Sequence, residues 1–387
     1  MAFATIGTTG IADDAVTSAK VAPGVVDTEA QPNQAPIWIN GSMDVAQRAT
    51  SATGKTAGGF YTVDRMQLDI SGTIGTWTIA QESQTSGNAI DNGFANAYRI
   101  DCTSATASPA SGAFLKVISS FEGQDLQMFK KGTSNAQKFT LAFWVKSNKT
   151  GTAQVNLRDM DNTRMIGASY SISSADTWEF KVCNFAADTT GKFDDDNARS
   201  LIVEWWLDGG SDYTSGAMPT AWEARNAADS MAAGSLDMAG STDNDWAITA
   251  IQLEVGEFSS TTLPPFKHES YGDNLARCQR YFQMRADGNQ KVIGIGNWGS
   301  GTQVDVTLEI PPMRTRPSIE YTTGSGYWTI AGGGGSDNTL DNLNMNSWST
   351  DMNISLWTTT GAGGTAGYAN HVYSSNASAK LGFTAEL

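Results

Sequence analysis

The chain has 387 residues, 40% of them hydrophobic and 12 of them Trp, which is enough apolar material for two or three domains and too much for a disordered chain. Its 25 Lys and Arg against 40 Asp and Glu give a net charge of −15, and no stretch gathers basic residues into a stripe that would neutralise phosphates, which argues against a nucleic-acid partner. No apolar run is long enough to enter a membrane, the opening MAFATIGTTG has neither a charged nor an apolar signal region, and Cys102, Cys183 and Cys278 are too few for a disulfide framework. Cysteine usage of this kind suits synthesis in a reducing cytoplasm, whereas 40 Gly, abundant Ser, Thr and Asn and only 17% charged residues suit an all-β surface protein. A virus particle satisfies both.

From the N-terminus, Ile6, Ile11, Val16, Val21 and Val26 recur at every fifth position. A five-residue step keeps no common face on an α-helix and alternates faces on a strand, so these aliphatics need partners from outside the segment. Residues 1–35 are therefore expected to be an extended segment ordered only in company, ending in the polar hinge DTEAQPNQA. From Pro36 to residue 268, stretches such as FTLAFWVKS, AQVNLRD, WEFKVCNF, SLIVEWWLD and WAITAIQLEVG alternate apolar and polar residues between Gly, Asn, Asp and Ser clusters, the pattern of a jelly-roll β-sandwich. Residues 211–245 interrupt it as a long loop packed down by Trp222 and Met231. Residues 269–282 then place Tyr271, Leu275, Cys278 and Phe282 at helical spacing, which predicts one short linking α-helix. Alternation returns in QVDVTLEIP, MNISLW and AKLGFTAEL, so residues 283–387 are expected to form a second, C-terminal β-sandwich.

Five stretches, MDVAQRAT (43–50), YTVDRM (61–66), AFWVKSNKTG (142–151), ITAIQLEVGEF (248–258) and ESYGDNLARCQRYF (269–282), resemble in the same order a module of bacteriophage tail fibres. The opening GIADDAVTSAKVAPGVV is similar to the attachment peptide that precedes that module, and PPMRTRPSIEY and the closing AEL are further features such fibres share. The resemblance implies an intertwined homotrimer located in the virion as a tail fibre. It would dock on tail or adaptor proteins through Ile6, Ile11, Val16, Val21 and Val26 and present the C-terminal sandwich as a tip to a host-cell surface glycan or outer-membrane receptor. Three copies wound about one axis would also give the five-residue ladder the shared core that one chain cannot close.

Catalytic chemistry has little to stand on. The two histidines, His268 and His371, fall in separate predicted domains, and there is no CxxC or HExxH spacing. Asp194–Asp196 and the Asp208 to Asp212 stretch DGGSD lack the spacing and closing Glu of a Ca²⁺ loop and read as solvated loops. No cofactor or metal is expected, and the chain is read as a binder rather than an enzyme; the alternatives are a polysaccharide-degrading fibre and a head or collar fibre of the same fold. Sugar binding uses aromatic faces flanked by amides and hydroxyls. The last domain supplies that mixture, with Tyr327, Trp328 and Trp348, in the loop-like stretches GSGYWT and NMNSWST, as the expected receptor contacts. In MNISLW the alternation of Met352, Ile354 and Leu356 turns Trp357 to the other side of the strand. Gln47, Arg48, Asp64, Arg65 and Arg280, polar residues in apolar surroundings, are expected to form a buried seam between domains or subunits.

Overall fold

The computed structural model describes residues 35–387 except 323, 333–336, 341 and 359–362. Ile6, Ile11, Val16, Val21 and Val26 lie outside the described residues.

Alternation translates into strands where it was read. In Phe139–Ser147, Phe139, Leu141, Phe143 and Val145 are fully buried while Trp144 and Lys146 are only half-buried. Two six-stranded antiparallel sheets result. One runs Ser51–Lys55, Thr76–Ser83, Asn96–Ser104, Asp245–Val255, Phe139–Ser147, Glu179–Phe185; the other runs Glu223–Ala224, Arg164–Ile172, Gly151–Asp159, Arg199–Gly209, Phe114–Glu122, Gln67–Ser71. Their facing sides share one apolar core in which Trp205 meets Trp38 and Phe143 edge-on, with ring centroids 5.7 Å apart in both pairs. The 211–245 segment, expected as a long loop packed down by Trp222 and Met231, does bury both residues, and it also adds the short edge strand Glu223–Ala224 to the second sheet.

A second core gathers residues between Ala286 and Ala385. It lies against a three-stranded sheet (Phe282–Asp287, Lys380–Thr384, Ser318–Tyr321) and a seven-stranded one in the order Asn338–Leu340, Trp328–Ile330, Ala369–Ser374, Val292–Ser300, Gln303–Glu309, Asn353–Thr358, Asn344–Met345.

The helix between them is shorter than expected. It spans Tyr271–Gln279, capped by the Ser270 hydroxyl accepting from Asp273 N–H at 3.1 Å, and Phe282 already begins a strand. Its docking face also differs. Tyr271 is exposed and Leu275 half-buried, whereas Asn274 is buried and exchanges hydrogen bonds with Asn40, accepting from its backbone N–H at 3.1 Å and donating to its side-chain oxygen at 3.2 Å. That amide and the fully buried Cys278 together hold the helix, so the docked face is partly polar.

The polar residues singled out in the sequence do form a seam. Glu122, fully buried, accepts two hydrogen bonds from Arg280 at 2.7 and 2.6 Å and one from the Tyr281 hydroxyl at 2.6 Å. Arg48 and Arg65 both reach Glu386, and each guanidinium also stacks on a ring, Phe282 and Tyr281, 3.5 Å from the centroid. Arg314 donates to the Ala385 carbonyl at 2.9 Å and to the Asn197 carbonyl at 2.6 Å, and Gln47 bridges Asp64 to the Phe282 carbonyl. Carboxylates and cations of the first sandwich thus meet those of the second unit through several hydrogen bonds each, which is what a desolvated ion pair needs to offset its burial.

Two outcomes test the seam. Glu122→Ala leaves the Arg280 and Tyr281 donors facing a void and is expected to cost about 3 to 5 kcal/mol in chemical denaturation; a loss below about 1 kcal/mol would show that water replaces the carboxylate freely. Burial raises the Asp64 carboxyl from its ordinary 3.8 to about 7, against the Gln47 hydrogen bonds and the Arg48 charge that pull it down. The folded chain then holds a proton that the unfolded chain has lost, so this group favours the fold at low pH and that contribution fades as pH rises through the same interval. The melting-temperature advantage of wild type over Asp64→Asn should therefore shrink from pH 4 to pH 7, and an advantage that grew over that range would contradict the assignment.

Candidate functional site

A recognition surface needs an uncovered face, and the first sandwich offers little. On its second sheet the outward residues Glu204, Trp206 and Asp208 are almost fully buried, because the Gln154 and Asn156 side-chain amides donate to the Asp229 and Ser230 carbonyls at 2.8 Å and pull the long segment down. Under it Lys116 pairs with Glu204 at 2.8 Å, and the Trp206 indole N–H donates to the same carboxylate at 3.1 Å. On the first sheet, Phe94, Trp178 and Phe266 pack over Ala247 and Ala250. Beside them lies a cleft of about 420 Å³ lined by Glu82, Gln84, Asn88, Lys146, Asp176 and Trp178. Its groups are engaged with each other: Trp178 donates to Gln84 at 3.0 Å, Gln84 to Glu82 at 2.9 Å, and Trp178 is 5% exposed, with no ring face open to a ligand.

The C-terminal unit differs. One side of its seven-stranded sheet carries the second core and the other carries no layer of the described chain. Register fixes what stands on the open side. One row runs Asn344, Trp357, Asp305, Asn297, Ala369 across five strands; the next runs Ser355, Thr307, Ile295, His371. Tyr373 extends the surface at one edge, where its cross-strand neighbour Thr329 is buried and donates to the Ser375 hydroxyl at 2.8 Å. Ile295 is 62% exposed, and Trp357 and Tyr373 are half-buried. The cause is local: a register shift between Val292 and Gly294 lets Ile293 enter the core while Ile295, two residues on, takes the outer side, and the inward place beside it is Gly296, where a Cβ would come within 2.6 Å of Val372. Tyr373 donates its hydroxyl to Asp337 at 2.7 Å, which together with the Gly332 N–H holds that carboxyl below its usual range. The His371 and Tyr373 rings lie 5.5 Å apart, and Gln303 donates to Asp305 at 2.8 Å.

The three expected contacts do not come together. Trp348 stands in the turn before Asn353–Thr358 and is 72% exposed. Tyr327 is half-buried against the second core. Trp328 corrects the expectation of a surface position: it opens the strand Trp328–Ile330, pairs with Ser374 and Leu340, and is completely buried. The Gly-Ser-Gly run before it is a turn, but the turn ends at Tyr327, whose N–H returns to the Gly324 carbonyl at 3.3 Å. The strands Ala369–Ser374, Val292–Ser300, Gln303–Glu309 and Asn353–Thr358 lie between Trp328 and the Trp348 edge. Met352, expected inward with Ile354 and Leu356, is 43% exposed because it precedes the strand. Trp357 is on the side opposite Leu356, as its place in the alternation requires.

Of the other groups weighed for chemistry, Asp194, Asp195 and Asp196 lie in an exposed loop. Asp208 is buried and spends its oxygens on the Ala239 and Gly209 N–H groups at 2.8 and 2.7 Å. His268 stacks on Phe94 with centroids 5.1 Å apart, far in sequence from His371. Among the described residues no group of three or more His, Cys, Asp or Glu side chains is placed to hold a metal ion.

No family model matches the sequence, and no curated protein does. Solved structures with a similar arrangement include the enzymatically active domain of bacteriophage CBA120 tailspike protein 4, at TM-score 0.30 and 12% identity over 57% of this chain and 21% of that one. The family 11 carbohydrate-binding module of the Clostridium thermocellum cellulase Lic26A-Cel5E aligns at TM-score 0.27 and 10% identity, over 54% of this chain and 99% of that one. The tandem CBM22-1–CBM22-2 domain of Paenibacillus barcinonensis Xyn10C aligns at TM-score 0.23 and 9% identity, over 87% of this chain and 89% of that one. At these scores the likeness assigns no function.

Burial separates the two tryptophans experimentally. Trp328→Ala should cost about 3 to 5 kcal/mol of stability, as loss of a core indole does, whereas Trp348→Ala should stay within about 0.5 kcal/mol. Equal effects of the two changes on urea midpoint would contradict the placement.

Proposed function

We propose that the chain is a tail fibre of a bacteriophage, a homotrimer that docks on the tail through residues 1–35 and binds a host-surface glycan with its C-terminal unit, without cleaving it. The observation that carries this reading is the open side of the seven-stranded sheet, where Trp357, Tyr373 and Ile295 stand among amide and hydroxyl side chains, the combination that stacks on a sugar ring and satisfies its hydroxyls. The seam adds support. Gln47 and Arg48, Asp64 and Arg65, Arg280, Arg314 and Glu320, and Glu386 come from the separate stretches that resemble fibre modules, and they meet at one junction between the sandwich and the C-terminal unit. Exposed Tyr271 on the linking helix is available to a neighbouring copy.

Trimeric presentation lets each site be weak, since three sites per fibre and several fibres per particle multiply affinity. Long-range attraction contributes little for a chain of charge −15 near an anionic cell surface, as ionic strength of about 0.15 M screens charges beyond roughly 8 Å.

Purified full-length chain should give a trimer mass in light scattering, block adsorption of particles to host cells, and release no new reducing ends from host polysaccharide. Deleting residues 1–30 should leave the trimer and the blocking intact but keep the fibre out of particles. A monomer mass, release of reducing ends, or truncated fibre on purified particles would each overturn the corresponding part.

A further inference from the structure

The open sheet face also constrains what kind of glycan it can take, an inference that rests on the glycan reading above. Its rows carry the carboxylates Asp305 and Glu309, with Asp337 beside Tyr373, and His371 is the one basic side chain that the register places among the outward positions of these strands. Exposed Lys291 precedes Val292 at the Tyr373 edge, and two guanidiniums of this unit are turned to backbone: Arg285 donates to the Ile293 carbonyl at 3.0 Å and Arg316 to the Asn346 carbonyl at 2.9 Å. Asp305 is the cross-strand neighbour of Trp357, so a carboxylate or phosphate on a sugar stacked at the indole would sit beside a like charge. The remaining neighbours are Asn297, Asn344, Ser355 and Thr307, each both donor and acceptor, as a sugar hydroxyl is.

Spacing adds a length requirement. Trp357 and the His371–Tyr373 pair stand three strands apart, roughly 14 Å at the usual strand separation, and Ile295 lies between them. A ligand that touches both ends is a chain of sugars laid across the strands. A second copy of this protein fits the face less well, because among its described residues Ile295 and, at the Tyr373 edge, Val292 are the strongly exposed aliphatics, too little apolar area for the core of a permanent interface.

We infer that the open face binds an uncharged oligosaccharide that lies across the strands from Trp357 to His371 and Tyr373, and that Asp305 and Glu309 select against acidic glycans. Host-surface polysaccharide separated by anion exchange into unretained and retained fractions tests this, with each fraction used to displace fluorescent full-length protein from host cells. The unretained fraction should displace it, and the retained one should need at least about tenfold more. Trp357→Ala should lose cell binding by about tenfold or more while keeping the wild-type mass. Asp305→Lys with Glu309→Lys, two surface changes, should move the preference toward the retained fraction by about tenfold. Equal or better displacement by the retained fraction would overturn the inference and leave glycan recognition standing. Displacement by neither fraction, with cell binding intact, would instead overturn glycan recognition itself. Unchanged cell binding in Trp357→Ala, or a changed mass, would show that another face binds or that another copy covers this one.

Discussion

Glu122 and Glu386 are carboxylates almost wholly withdrawn from water, and the rest of the molecule is arranged around keeping them paired. Their partners arrive from four separate parts of the chain: Arg48, Arg65, the adjacent Arg280 and Tyr281 and, through the backbone beside Glu386, Arg314. Such a site cannot be half built. A charge left behind without its partner costs several kcal/mol, so the sandwich and the C-terminal unit accept one relative arrangement or leave a buried charge exposed to its own field. The rings of Phe282 and Tyr281 under the Arg48 and Arg65 guanidiniums remove the room for a looser alternative. What the seam contributes is definition of orientation more than net stability.

Orientation matters because the two units spend their surfaces differently. In the sandwich, buried amides on Gln154 and Asn156 tie a long segment across one sheet, and aromatic residues close much of the other. That unit therefore looks inward. The C-terminal sheet keeps one side open, and a register shift in its central strand sets which side Ile293 and Ile295 occupy. The junction thus fixes the open sheet face relative to the first sandwich.

How much of this was legible depended on whether local pattern and tertiary partner agreed. Strands such as Phe139–Ser147 were readable because alternation is a property of the strand itself. The seam was readable for a different reason: Arg and Asp inside apolar motifs have few options besides pairing with each other. Trp328 misled because Gly and Ser before it signal a turn, and nothing local reveals that the chain enters the sheet one residue later. The open face went unseen because Ile293 and Ile295 both look like core residues; the register shift that sends them to opposite sides is visible only once the strands are side by side. Asn274 on the linking helix is the same case, a polar residue buried by a partner more than two hundred positions away. Helical spacing of Tyr271, Leu275 and Cys278 pointed to the element correctly and to its buried face only in part.

The most direct test of the account is hydroxyl-radical footprinting of the full-length chain with and without host-surface polysaccharide, reading oxidation of individual aromatic side chains by mass spectrometry. The account predicts protection of Trp357, Tyr373 and His371 together, with Trp348 and Tyr271 unchanged. Protection at Trp178 beside the sandwich cleft, with Trp357 still oxidised at its free rate, would contradict it.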